Sequence, residues 1–228
     1  MPWFAYEVAV IVRDSLRRML TEQEDVFYYL TVMNENYPHP ALPEGAEEGI
    51  LKGMYLLREG AGEGPRVQLL GSGAILREVE AAAELLASDF DVAADVWSAP
   101  SFTELRRDGM EVERWNMLHP TEEQRRSRVD HCLADREGPK IAATDYMRTY
   151  ADQIRAWVPG RYVALGADGF GRSDYRVKLR SFFEVDRYHV AVAALKALAD
   201  EGAVEPSVVA SAIERYEIDT EPVPPWKR

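Results

Sequence analysis

The 228-residue sequence contains a single cysteine, Cys132. One thiol excludes a disulfide framework and a multi-cysteine zinc site within the chain, and it fits a reducing, cytoplasmic setting. The four histidines, His39, His119, His131 and His189, form neither HxH nor HExxH spacing, so no metal site is expected. Cys132 follows His131 directly, and adjacent side chains on a helix point apart, so the two make no nucleophile–base pair. A Gly-x-Ser-x-Gly elbow is missing as well. No apolar run is long enough to cross a bilayer. The opening "MPWFAYEVAVIVRDSLRRML" carries Glu7, Arg13 and Asp14 and lacks a small-residue cleavage site, so it reads as neither signal peptide nor anchor. Cations are also short: 27 Lys and Arg against 39 Asp and Glu leave a net charge of −12. That balance disfavours nucleic acid and anionic membrane surfaces as partners.

What is present is enough for a globular core, with 46% hydrophobic and 29% charged residues. Residues 4–22 repeat apolar side chains at helical spacing, and "VFYYLTVM" at 26–33 is a β-branched and aromatic run that predicts a buried strand. Prolines at 38, 40 and 43 then forbid regular structure and mark a boundary. Beyond it, strand patterns alternate with helix patterns. The helix over 101–118 has Ser101 with Glu104 three residues on, a capping box, and Asp186 caps a helix that Gly202 closes. Such alternation predicts an α/β fold, a mostly parallel sheet with helices on both faces. The helix and strand before the proline loop are too little for a domain of their own, and they read as the end of a preceding one.

Two glycine turns invite a phosphate reading. "LGADGFGRSD" at 165–174 follows an apolar run, but its order is G-x-x-G-x-G, it lacks Gly-Lys-Ser/Thr, and Asp168 puts a negative charge inside it. The structural reading is the stronger: glycines for a tight turn, Phe170 as its buried anchor, Ser173 or Asp174 capping the next helix. Gly71 and Gly73, between a strand and a helix, are the better anion candidates by geometry, although a third glycine and a lysine are missing. The cluster Asn34, Glu35, Asn36 and Tyr37 leaves the end of the expected strand. It offers ligand or interface groups at a strand end, or else a turn whose Asn side chains bond the backbone. "QRRSR" at 124–128 lies among Glu122, Glu123 and Asp130 and reads as a solvated helix face, with an acidic partner as the alternative.

Several long runs resemble one family. "FAYEVAVIVRDSLRRM", "VFYYLTVMNENYPHPALPEGAEEGILKGMYLL", "VQLLGSGAILREV", "SFTELRRDGMEVERWNMLHP", "ATDYM" and "LGADGFGRSDYRVKLRSFFEVD" are similar, in order, to the homodimeric type of pyruvate dehydrogenase, the decarboxylating, thiamine diphosphate-dependent component. The resemblance extends over nearly the whole chain but only to the C-terminal part of a much longer protein. It implies that 1–42 are the tail end of the middle, pyrimidine-binding domain and 43–228 a transketolase-type C-terminal α/β domain, which is cofactor-free and helps build the dimer. Transketolases carry a related Asp, Phe-Gly and Ser pattern at the place of "GADGFGRSD", where its role is structural.

The same resemblance implies thiamine diphosphate and Mg2+ in the whole enzyme, held by a Gly-Asp-Gly start and a downstream Asn pair. This sequence has no Gly-Asp-Gly. The glutamate and histidines of the family's active site match no position here, so no catalytic, cofactor-binding or metal residue is carried over. The implied partners are the remaining domains of the enzyme, a second subunit, and the lipoyl acyltransferase component of the complex. The chain alone is expected to be inactive. A free-standing ligand-binding module using Gly71 and Gly73, or a non-catalytic assembly module, remains the alternative.

Overall fold

The computed structural model describes residues 1–33 and 36–228. Helix α1 (Ala5–Leu16) runs into a π-helical turn at Arg17–Thr21, close to the extent expected from the spacing. After the proline loop come α2 (Ala46–Leu51), β1 (Tyr55–Arg58) and β2 (Arg66–Gly71). Then follow α3 (Leu76–Phe90), β3 (Ala93–Ser98), α4 (Phe102–Leu118), α5 (Arg128–Leu133), β4 (Lys140–Ala143) and α6 (Arg148–Asp152). The chain continues through β5 (Tyr162–Leu165), α7 (Arg176–Phe182), α8 (Arg187–Asp200) and α9 (Pro206–Arg215).

The strands form one five-stranded sheet in the order β1-β3-β2-β4-β5, parallel except for β1, which pairs antiparallel with β3 at the edge. Side-chain alternation decides which core each strand residue enters. Val67, Leu69, Val96 and Ile141 face a layer made by α3, α8 and α9. Leu70, Trp97 and Ala142 face the opposite layer, where Phe102 and Leu105 of α4, Val129 and Leu133 of α5 and Ala151 of α6 pack. The expected sheet with helices on both faces is therefore present.

Local signals explain the helix ends. Ser101 Oγ accepts a bond from Glu104 N at 3.2 Å, but the Glu104 carboxylate accepts from Arg107 instead of turning back, so only half of the capping box forms. Asp186 accepts from His189 N at 3.0 Å, and Gly202 closes α8 at φ +75°.

Several expectations need correction. Residues 26–33 have no regular secondary structure and join no ladder among the described residues. Residues 147–158 form the short α6 and a separate 3-10 turn at Arg155–Trp157. Phe170 is not a buried anchor: it is 79% exposed at the tip of its turn. Helix α7 starts at Arg176 with Tyr175 at its N-cap, and the Asp174 carboxylate accepts only from Tyr175 N. Residues 124–127, read as part of a solvated helix face, lie in a loop, and helix α5 begins at Arg128 with Ser127 as its N-cap.

Glu78, buried in the first turn of α3, fastens α7 and α8 to that helix. It accepts from Arg180 Nη1 at 2.8 Å, Arg187 Nε at 2.9 Å and Arg187 N at 3.2 Å. Burial by itself would raise its pKa; the hydrogen bonds and charge of Arg187, with Arg180, outweigh that and hold the carboxyl below its ordinary value. A depressed carboxylate stabilises the fold above the unfolded-state pKa and loses that contribution as pH falls through the folded value. Glu78→Gln is expected to lower stability by ~3 kcal/mol at neutral pH. Denaturant titrations from pH 7 to pH 3 should show the gap to wild type closing at the acid end.

Candidate functional site

In an open parallel sheet, ligands gather at the carboxyl ends of the strands where the connections change direction. Here β2 to β3 runs one way, and the path to β4 returns to the other side of β2. The crevice is thus bounded by Gly71–Gly73 after β2 and by Thr144 and Asp145 after β4. Gly71 is required by close packing, since a Cβ there would lie 2.6 Å from Leu76 Cδ1. Gly73 has φ +56°, and a Cβ would meet the Met1 side chain at 1.9 Å. Its N–H, the group an anion would use, donates to the Met1 carbonyl at 3.1 Å. The nitrogen of Met1 in turn donates to the Pro100 carbonyl. The protein's own main chain therefore fills this turn.

Two polar groups at the crevice are left over. Ser72 Oγ and Asp145 Oδ1 are buried without a hydrogen-bond partner, and burial pushes the Asp145 carboxyl up. Of the polar cluster after 33, Asn34 and Glu35 lie outside the described residues. Asn36 is exposed. Tyr37 reaches the same region as the glycines: its ring is 4.8 Å from Trp3, and the Arg77 guanidinium lies 4.6 Å over it. These rings line a cavity of about 290 Å3 with Phe4, Pro38, Pro40, Leu57 and Glu80. Burial pushes the Glu80 carboxyl up, and Arg58 and Arg77 pull it partly back. The structure thus brings Tyr37, Gly71 and Gly73 to the start of α3, joined by residues 1–4.

Sequence reasoning missed the group that holds this arrangement. Glu7 is fully buried. One carboxylate oxygen accepts from Trp3 N at 2.5 Å and Phe4 N at 3.0 Å, the acidic half of a capping box. The other accepts from Tyr55 Oη at 2.8 Å in β1 and Ser98 Oγ at 2.6 Å at the end of β3. Tyr6 Oη lies 2.7 Å from Tyr55 Oη, and burial pushes the Tyr6 phenol up to about 12. The sequence signal was available, since an acid three residues into a helix is a capping position, but its long-range donors were not.

The second glycine turn is stapled to its neighbours. A Cβ at Gly166 would lie 2.4 Å from Arg148 N, and the Asp168 carboxylate accepts from that same N–H at 3.2 Å. Gly169, at φ +120°, packs on the Pro225 carbonyl. The negative charge of Asp168 therefore serves the loop after β4. Within 124–128, Arg126 pairs with Asp130, Arg125 lies 3.8 Å over Trp115, and Arg128 donates to the Met54 carbonyl at 3.0 Å.

Among the described residues no group of three or more His, Cys, Asp or Glu is arranged to hold a metal. The Gly73 N–H, already bonded to the Met1 carbonyl, is not free to hold a diphosphate. What the arrangement can do is join segments.

The profile of the transketolase-like TK C-terminal domain matches residues 53–186, and that of the pyruvate dehydrogenase E1 component middle domain matches residues 1–40. The chain is 64% identical over 222 residues to the pyruvate dehydrogenase E1 component of Pseudomonas aeruginosa, covering 96% of this chain and 25% of that protein. It is 62% identical over 220 residues to the same component of Cupriavidus necator, with the same coverage of 96% and 25%. A solved transketolase from Pichia stipitis aligns with a TM-score of 0.48 and 18% identity, over 72% of this chain and 20% of that one. The chain spans about a quarter of the length of the relatives it matches.

Two substitutions separate the roles seen here. Glu7→Leu strands four donors in the interior and is expected to cost ~3 kcal/mol or more, whereas Phe170→Ser should stay within ~0.5 kcal/mol of wild type. Urea unfolding followed by tryptophan fluorescence measures both. A large loss for Phe170→Ser would restore it as an anchor.

Proposed function

The chain belongs to the transketolase-like C-terminal domain family, and from that premise we propose that it serves as the C-terminal segment of a pyruvate dehydrogenase E1 component. The observation that carries this reading is the 64% identity to such a component over 96% of the chain. The packing agrees with it: Glu7, in the stretch similar to the middle domain, is bonded to Tyr55 and Ser98 in the stretch similar to the C-terminal domain.

On this reading residues 1–42 close the pyrimidine-binding domain and 43–228 form the C-terminal domain. The whole enzyme decarboxylates pyruvate with thiamine diphosphate and Mg2+ and passes the acetyl group to the lipoyl arm of the acyltransferase component, as a cytoplasmic homodimer. No step of that chemistry falls to residues of this chain. Its part is architectural: it supports the domains that hold the cofactor and contributes to the dimer. The Gly71–Gly73 turn and Tyr37 then serve as packing groups between the two stretches, which the Gly73–Met1 bond and the Arg77–Tyr37 contact favour.

The deciding measurement is pyruvate decarboxylation with thiamine diphosphate and Mg2+. The chain is assayed alone and mixed with the Pseudomonas aeruginosa component lacking the quarter it matches. No turnover alone and turnover on mixing are expected. Turnover by the chain alone would overturn the reading.

A further inference from the structure

The cavity of about 290 Å3 beside α3 has a lining that the proposed function does not use. Trp3, Phe4 and Tyr37 give it three aromatic walls, and Pro38, Pro40 and Leu57 complete its apolar surface. Arg77 and Glu80, one turn apart on α3, bring opposite charges to it. Its volume lies at the lower end of the range of ligand pockets, roughly 300–1,000 Å3.

The aromatic walls already hold one cation. The Tyr37 ring stands 4.8 Å from that of Trp3 and carries the Arg77 guanidinium 4.6 Å from its centre. An aromatic face attracts positive charge through its quadrupole, most strongly when the cation has lost its water. Trp3 and Phe4 are fixed by core packing and by the bonds from their N–H groups to Glu7, so they offer a rigid surface.

The Glu80 carboxylate is the unmet group. The two cations that attract it are engaged elsewhere. Arg58 donates to the Glu80 main-chain carbonyl at 3.3 Å and pairs with Glu84 at 3.6 Å, and Arg77 lies over Tyr37. Among the described residues no hydrogen bond or ion pair closes on the carboxylate. A half-buried carboxylate left in this state is stabilised by a cation that reaches it.

The lining selects the kind of cation. Apart from Glu80 and the Tyr37 hydroxyl, its side chains hold no hydrogen-bond acceptor. A guanidinium or a primary ammonium would leave N–H donors unmet in an apolar surround. A quaternary ammonium has no N–H. Its methyl groups bury against Trp3, Phe4 and Leu57 while the rings and Glu80 meet its charge. We propose that this cavity binds a small molecule bearing a quaternary ammonium group, with the aromatic walls against its methyls and Glu80 as the counter-charge. The inference stands independently of the function proposed above.

Choline is the probe, and its neutral carbon isostere, the alcohol with a tert-butyl group in place of trimethylammonium, is the control. Choline chloride should raise the melting temperature of the full chain saturably, by roughly 2 °C or more near saturation. The isostere, and sodium chloride at matching concentration, should not. Nuclear Overhauser contacts should run from the choline methyls to the rings of Trp3, Phe4 and Tyr37. Glu80→Gln should melt no lower than wild type and bind choline at least about 10-fold more weakly. No shift with choline, equal stabilisation by the isostere, unchanged binding by Glu80→Gln, or methyl contacts elsewhere on the surface would each overturn the proposal. So would loss of choline binding on adding the Pseudomonas aeruginosa component without its matching quarter, since the cavity would then belong to a contact within the enzyme.

Discussion

The buried Glu7 carboxylate is the constraint on which the arrangement depends. A carboxylate without a cation partner is costly in a protein interior unless its lone pairs are met by donors. Glu7 meets four, two from its own helix start and two from strands that lie 48 and 91 residues away in sequence. The set is complete only when α1 lies across the ends of β1 and β3. Breaking that contact would leave donors as well as the acid unsatisfied, so the junction is specified by polar geometry as much as by the surrounding Trp3 and Phe4 packing.

That junction also explains why the sheet's most ligand-prone position carries no open cradle. Fixing residues 3 and 4 through Glu7 places Met1 over the turn after β2, where its carbonyl takes the Gly73 N–H and its side chain fills the space a Cβ would need. The glycines are consumed by this close approach. In the same way Gly166 and Asp168 are consumed by the loop at Arg148. Two glycine turns that look like phosphate motifs in a linear reading are both packing devices, since backbone approach and anion binding ask for the same residue type.

Much of the fold was legible because it is local. Helical spacing gave α1, Ser101 and Asp186 gave helix starts, and the alternation of elements gave the mostly parallel sheet. The failures share a cause. A strand is defined by its neighbour, so residues 26–33 carry the right side chains and still join no ladder. Phe170 is apolar, which placed it inside by composition, yet it stands 79% exposed next to the stapled Asp168 and Gly169. Of the candidate site, the meeting of Tyr37 with the glycine turn was invisible, because it depends on Trp3 and Arg77 reaching it from opposite directions. The resemblance of whole runs carried the family where single motifs did not.

The buried acids show how the chain divides its chemistry. Glu7 ties α1 to the sheet, Glu78 ties α3 to α7 and α8, and Asp95 ties β3 to Gly60, Arg66 and Gln68. Each is spent on joining segments far apart in sequence, and Glu7 and Glu78 each accept four hydrogen bonds in doing so. Among the described residues burial pushes the Asp145 and Glu80 carboxyls up, and both sit against residues 1–4, Asp145 beside Met1 and Glu80 in the cavity with Trp3 and Phe4. These two acids thus lie at the junction with the stretch similar to the middle domain.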